Sequence, residues 1–122
     1  MNIEEYRDYC LALPGVTEGF PFDASTLVFK VMGKMFALTD VDKFDFINLK
    51  ADPEYCIELR ELYSGIRPGY HMSKTNWNSV YMDGTVEDEL IYSLIKDSYE
   101  IVASGLTKKL KEELAQIKNL NL

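Results

Sequence analysis

The first 13 residues of the chain have apolar side chains at helical spacing. Asn2 and Glu5 have the arrangement of a helix N-cap and its capping-box partner, and apolar positions then recur every three or four residues up to Pro14-Gly15. These positions are Ile3, Tyr6, Cys10 and Leu13. The pattern predicts a first helix that ends before the Pro-Gly pair.

Strand-like patterns follow in two places. Residues 26–50 are rich in β-branched and aromatic side chains, and Gly33 and Asp42-Lys43 divide them into three short runs, which predicts a meander of antiparallel strands. Residues 77–82 alternate bulky and polar side chains, which predicts a further strand. Pro21 limits the segment around it to an edge strand at most.

Three later segments return to helical spacing. Asp52-Pro53 predicts an N-cap and the first residue of a second helix. Thr85, with Asp88 three residues later, predicts the start of a third helix, and Thr107 predicts the start of a short last one. This order of elements predicts one α+β domain over residues 1–122, an antiparallel sheet with helices on one face.

The distribution of charge narrows the possible functions. The 122 residues include 20 acidic and 13 basic side chains, a formal net charge of -7 that repels nucleic acid overall. Three windows contain no Asp or Glu: 24–39, 62–82 and 101–111. Their basic residues are Lys30, Lys34, Arg67, Lys74, Lys108, Lys109 and Lys111. The windows indicate a local cationic surface or, equally well, strands and a turn that carry few acids.

The sequence gives no sign of a membrane segment or a metal site. No apolar run approaches the ~20 residues of a membrane span, and the first residues lack the basic and apolar regions of a signal peptide, so we expect a cytoplasmic protein. Cys10 and Cys56 lie apart within helical patterns and are expected to be buried free thiols. With one histidine available, we expect neither a metal nor a cofactor.

Four segments carry a family resemblance: they are LPGVTEGFPF, LVFKVMGKMFAL, PGYHMSKTNWNSVYMDG and SYEIVASGLTKKL. In this order and at these separations they resemble the MmcQ/YjbR family of small bacterial proteins, over about residues 2–113. The resemblance implies an α+β fold related in shape to secretion-chaperone-like domains. It also implies DNA binding through paired wing-like loops on the sheet and a link to mitomycin resistance, and it supplies no catalytic residues.

We predict a non-enzymatic binding domain with nucleic acid as its leading ligand. Its surface would combine the 24–39 hairpin with the 66–78 segment, so that cations contact phosphates, amides contact sugars or base edges, and rings stack on exposed bases. The predicted residues are Lys30, Lys34, Arg67, Tyr70, His71, Lys74, Asn76, Trp77 and Asn78. For Trp77 the structural alternative is packing in the core, and for the two asparagines it is turn geometry.

Two other functions are compatible with the same residues. Tyr70, Trp77, Tyr81 and the methionines would line an adaptable pocket for a small aromatic molecule or drug. An enzyme would instead join His71 to Asp83, Tyr70 or Cys56. No phosphate-binding loop, nucleophile elbow or paired-carboxylate motif supports that alternative. We therefore predict no catalysis and no membrane partner, and we assume a monomer.

Overall fold

A computed structural model describes residues 1–120, which form four helices and six strands. In chain order these are α1 (Ile3–Ala12), β1 (Val16–Gly19), β2 (Thr26–Val31), β3 (Lys34–Asp40), β4 (Phe46–Lys50), α2 (Pro53–Leu62), β5 (Ile66–Pro68), β6 (Trp77–Tyr81), α3 (Asp88–Ser104) and α4 (Lys108–Leu120). The predicted meander over 26–50 is confirmed as β2, β3 and β4. Strands β1 and β5 were not predicted, because four and three residues are too few to show alternation.

The six strands form one antiparallel sheet in the order β1-β2-β3-β4-β6-β5. Residues directly opposite each other in neighbouring strands have side chains on the same face. One such row crosses five strands through Val28, Leu38, Asn48, Ser79 and Arg67. We call the side of the sheet that carries this row the outer face and the opposite side the helix face.

The main core lies between the helix face and the helices, which confirms the predicted α+β arrangement. Helix α3 packs on β2, β3 and β4, and its inward positions meet buried sheet residues such as Phe36 and Ile47. Ser98 joins helix to sheet, because its hydroxyl donates to the Phe36 carbonyl at 2.6 Å and accepts from the Lys50 amide at 2.9 Å. None of the helices within residues 1–120 has the length and apolar character needed to cross a bilayer.

The helix starts test the predicted caps. Asn2 accepts from the Glu5 amide at 2.8 Å and its own amide donates to the Glu5 carboxylate at 3.0 Å, which confirms the capping box of α1. Thr107 accepts from the Leu110 amide at 3.3 Å at the start of α4, also as predicted.

Both cysteines, Cys10 and Cys56, are free and buried, which confirms the expectation of buried free thiols.

Two predicted caps need correction. Helix α3 begins at Asp88 rather than after Thr85, because the amide and hydroxyl of Thr85 both donate to Asp83 and hold the chain in a turn. Helix α2 does begin at Pro53, but the side chain of Asp52 makes no capping hydrogen bond. Proline at the first helical position has a φ already fixed near the helical value, which favours the start of this helix there.

Candidate functional site

A second, smaller apolar cluster lies on the outer face, away from the helices. Val28, Leu38 and Trp77 are its buried members, and Met35 and Met72 pack against them. Residues 69–76, which we call the cover loop, pass over part of this face between β5 and β6. Small-molecule sites are usually concave and mostly apolar, so this part of the outer face is a candidate site.

A ring of hydrogen bonds holds the cover loop to the sheet. The Tyr70 amide donates to the Ser79 hydroxyl at 2.9 Å, and the Asn48 side-chain amide donates to the Tyr70 carbonyl at 3.1 Å. The Ser79 hydroxyl in turn donates to the Asn48 side-chain carbonyl, which closes the ring. Because Asn48 and Ser79 are buried, these bonds are shielded from water and fix the backbone at Tyr70.

Arg60 of α2 holds the other end of the cover loop from the helix face. Its guanidinium donates to the Asn78 side-chain carbonyl at 2.6 Å and to the backbone carbonyls of Lys74 and Trp77. Asn78 also donates to the Cys56 carbonyl at 3.2 Å. Sequence reasoning did not single out Arg60, because a lone arginine on an amphipathic helix carries no signal of such a role.

An open cleft of about 480 Å³ lies on the outer face, between the cover loop and the segment that precedes β2. Its apolar and aromatic lining consists of Phe22, Met35, Leu38, Phe46, Tyr70 and Met72. Its polar lining consists of Asp23, Thr26, Thr39, Asp40, Asn48 and His71. The lining therefore pairs an apolar wall with a few polar groups, as small-molecule sites do.

The carboxylates of the cleft take part in local turns. Asp23 accepts from the amides of Thr26 and Ser25 at 2.7 and 2.9 Å, and these bonds, that from Thr26 foremost, lower the pKa of Asp23. Asp40 accepts from the amides of Asp42 and Lys43 at 2.8 and 3.3 Å. No lysine or arginine lines the cleft in the described part of the chain, so its local charge is negative.

Aromatic rings form one wall of the cleft. Tyr70 is 56% exposed, with its ring 4.1 Å from that of His71 and 5.7 Å from that of Phe46, both edge-on. His71 has a φ of 58°, a backbone conformation that is uncommon for residues other than glycine. The predicted involvement of Tyr70 and His71 in one surface therefore agrees with their position at the rim of this cleft.

The predicted cations do not converge on one surface. Lys30 and Arg67 both lie on the outer face, but β2 and β5 are four strand spacings apart, about 19 Å. Lys34 lies opposite the core residue Val31, which directs it toward the helix face. The Lys74 ammonium donates to the Gly69 carbonyl at 3.0 Å within the cover loop.

Three other predicted contact residues are turned away from solvent or engaged. Trp77 is 8% exposed and packs under Met72, which agrees with the structural alternative of a packing residue. Asn78 lies on the helix face, 3% exposed and bonded to Arg60, so it does not belong to an outer surface. The backbone carbonyl of Asn76 accepts from the Ala51 amide at 2.8 Å.

The residues named for the alternative enzyme are also separated. Cys56 is buried on the helix face, where its carbonyl accepts from Asn78. Asp83 lies past the end of β6 and accepts from Thr85. Of the three partners considered for His71, the structure brings only Tyr70 into contact with it.

An antiparallel sheet with helices on one face and a loop-covered cleft on the other defines a small α+β domain. The YjbR family model matches residues 11–101, and relatives align over nearly the full chain. The chain therefore belongs to the YjbR family, which confirms the resemblance found in its sequence.

Similar proteins share both sequence and fold. The chain is 39% identical to YbdF of Escherichia coli O157:H7 over 107 residues, 87% of this chain and 88% of that protein. It is 33% identical to YjbR of Escherichia coli K12 over 118 residues, 96% of this chain and all of that protein. The crystal structure of the Deinococcus radiodurans protein DR2400, with a DUF419 domain, superposes with a TM-score of 0.86 at 43% identity, covering 93% and 88% of the two chains. The crystal structure of a Pseudomonas syringae protein superposes with a TM-score of 0.71 at 31% identity, covering 83% of this chain and 98% of that protein.

Proposed function

We propose that this protein is a non-catalytic binding domain that holds a small aromatic molecule in the outer-face cleft. The observation that carries the proposal is the cleft itself, whose volume of about 480 Å³ falls in the range of small-ligand sites. Three aromatic rings and two methionines contribute to its wall. Methionine side chains adapt to ligands of different shape, which suits a site for flat organic molecules.

The support of the cover loop favours a site that exists before the ligand arrives. Asn48 and Ser79 bind the loop near Tyr70, and Arg60 binds it near Lys74. A ligand that enters a preformed site avoids the cost of ordering the loop, so more of its contact energy appears as affinity.

The way the polar groups are used supports the proposal of binding without chemistry. Ser79, the hydroxyl under the cover loop, is 0% exposed and already bonded to Asn48 and Tyr70. A nucleophile needs access to substrate and a base within hydrogen-bond reach, and Ser79 has neither arrangement. We assign Asn48 and Ser79 to loop support rather than catalysis.

Nucleic-acid binding, which the family resemblance implies, stays a prediction with weaker support from the geometry. Its proposed cations are dispersed over both faces of the sheet, and Asp40 lies on β3, a strand between those that carry Lys30 and Arg67. Carboxylates among the cations lower the local potential that a polyanion needs. Any DNA contact would therefore be weak and strongly dependent on salt.

A thermal-shift screen of aromatic metabolites and quinones tests the proposal. A ligand at 100 times its Kd adds about 2.7 kcal/mol of stability, a clear rise in Tm. We expect Met35→Trp, which fills the cleft, to abolish the rise. Thr17→Trp is the matched control, because Thr17 is exposed on the outer face of β1 and does not line the cleft.

Short single- and double-stranded DNA at low salt forms the second arm of the same experiment. A DNA-induced shift that survives Met35→Trp, with no shift from any small molecule, would replace the proposed function by nucleic-acid binding. Equal small-molecule shifts in both tryptophan variants would show that the ligand binds outside the cleft and would also overturn the proposal.

A further inference from the structure

We propose that the aromatic ligand of the cleft carries a positive charge, as an aromatic amine or a pyridinium-like ring does. This inference rests on the proposed function and specifies the chemical class of its ligand. Three observations support it: the position of two carboxylates at one end of the cleft, the lack of an ion pair to either of them among the described residues, and the aromatic wall.

The two carboxylates lie on either side of Thr26. Thr26 is directly opposite Asp40 in the pairing of β2 with β3. The amide and hydroxyl of Thr26 donate to Asp23 at 2.7 and 3.1 Å. Asp23 and Asp40 are therefore neighbours at the same end of the cleft, and both belong to its lining.

Neither Asp23 nor Asp40 forms an ion pair within residues 1–120. The two ion pairs found there join the N-terminal amine to Asp88 and Arg7 to Glu18, at 2.9 and 2.6 Å. The groups that bind Asp23 and Asp40 are backbone amides and hydroxyls, which carry no formal charge. Two carboxylates without a counter-charge attract a cationic ligand and disfavour an anionic one.

The aromatic wall suits the rest of such a ligand. Tyr70 and Phe46 pack edge-on at 5.7 Å, so their rings present faces and edges to a flat molecule in the cleft. Cations bind over aromatic faces with about 0.5–1 kcal/mol at exposed sites. The ligand would place its ring beside Tyr70 and Phe46 and its charged group toward Asp23 and Asp40.

Three probes of similar shape separate charge from apolar contact: 1-naphthylmethylamine, 1-naphthalenemethanol and 1-naphthoate, which are cationic, neutral and anionic at neutral pH. Titrations followed by amide chemical shifts give both Kd and location. We expect shifts near Leu38, Phe46 and Tyr70, with the amine binding about fivefold more tightly than the alcohol, since one exposed ion pair contributes up to about 1 kcal/mol. The naphthoate should bind most weakly.

Asp40→Asn removes the charge and keeps the oxygen that caps the turn at Asp42 and Lys43. We expect it to weaken amine binding about three- to fivefold and to leave the alcohol unchanged. Asp42→Asn is the matched control, because Asp42 is exposed in the same turn and does not line the cleft.

The outcomes separate this inference from the proposed function. Equal affinities for the amine and the alcohol, or equal effects of the two asparagine variants, would overturn the cationic ligand and leave the cleft as a binding site. Shifts from none of the three probes would overturn both proposals.

Discussion

At the scale of single residues, two buried tyrosines show how differently one hydroxyl can be used. The ring of Tyr6 packs between Phe29 and Phe44, and its buried hydroxyl has no hydrogen-bond partner among the described residues. The Tyr99 hydroxyl donates to the Pro14 carbonyl at 2.6 Å and so fastens α3 to the turn after α1. A buried polar group without a partner costs about 1–3 kcal/mol, whereas a formed hydrogen bond contributes about 1 kcal/mol.

We therefore expect Tyr6→Phe to leave the free energy of unfolding unchanged or to raise it by up to about 1 kcal/mol. Tyr99→Phe, the matched substitution, should lower it by about 1 kcal/mol because the Pro14 carbonyl loses its donor. Urea unfolding at neutral pH measures the free energy of unfolding of both variants. A loss in Tyr6→Phe as large as that in Tyr99→Phe would show that the Tyr6 hydroxyl is bonded.

At the scale of elements, the cover loop depends on one close approach. The amide of Gly69 donates to the Trp77 carbonyl at 2.9 Å, and a Cβ at Gly69 would lie 2.9 Å from both that oxygen and the Trp77 Cβ. The sequence indicated a turn at Pro68-Gly69, but the reason for the glycine is this contact with a residue eight positions later. The loop reaches the sheet only because its first residue has no side chain.

We expect Gly69→Ala to displace the cover loop and to lower stability by about 1–3 kcal/mol, as other overpacked sites do. The emission of Trp77, the single tryptophan of the chain, should shift to longer wavelength as the loop lifts. Gly19→Ala is the control, because a Cβ there meets nothing within 4 Å, and it should change stability by less than about 0.5 kcal/mol. An unshifted emission in Gly69→Ala would mean that the loop tolerates the methyl group.

At the scale of the whole molecule, ionisation of buried tyrosines opposes folding at high pH. Burial raises the pKa of Tyr99 to about 12 and the pKa of Tyr6 well above its usual range. A group that holds its proton more tightly in the folded state stabilises that state below its unfolded pKa, and this contribution is lost as pH rises above it. The net charge of -7 becomes more negative over the same range and adds repulsion.

The free energy of unfolding should accordingly fall as pH rises from about 10 to 12, the interval between the usual pKa of tyrosine and that of Tyr99. Urea titrations at fixed ionic strength across this interval measure the slope. We expect a shallower fall in Tyr99→Phe, because one of the tyrosines that must ionise is gone. An identical slope in the two proteins would place the alkaline loss elsewhere.

The sequence by itself determined the elements and the family. Apolar spacing located four helices and the strands of the meander and of β6, because periodicities of 3.6 and 2 depend only on neighbouring residues. Segments such as 68–84 resemble the family, and the match of the family model to residues 11–101 confirms the resemblance. Strands β1 and β5 were not predicted, because they are short and depend on pairing with β2 and β6 rather than on a local sequence pattern.

Only the tertiary structure decided which side chains share a surface. Pairing of Lys30 with Met35 and of Val31 with Lys34 across the β2-β3 hairpin sends Lys30 and Lys34 to opposite faces, although they lie four residues apart. The cleft exists because Asn48 and Ser79 hold Tyr70, across 22 and 9 positions of sequence. Such contacts join residues that are distant along the chain, so no local pattern encodes them. For the same reason, the absence of acids from three windows of the sequence did not show whether their cations share one surface, and in the folded protein they do not.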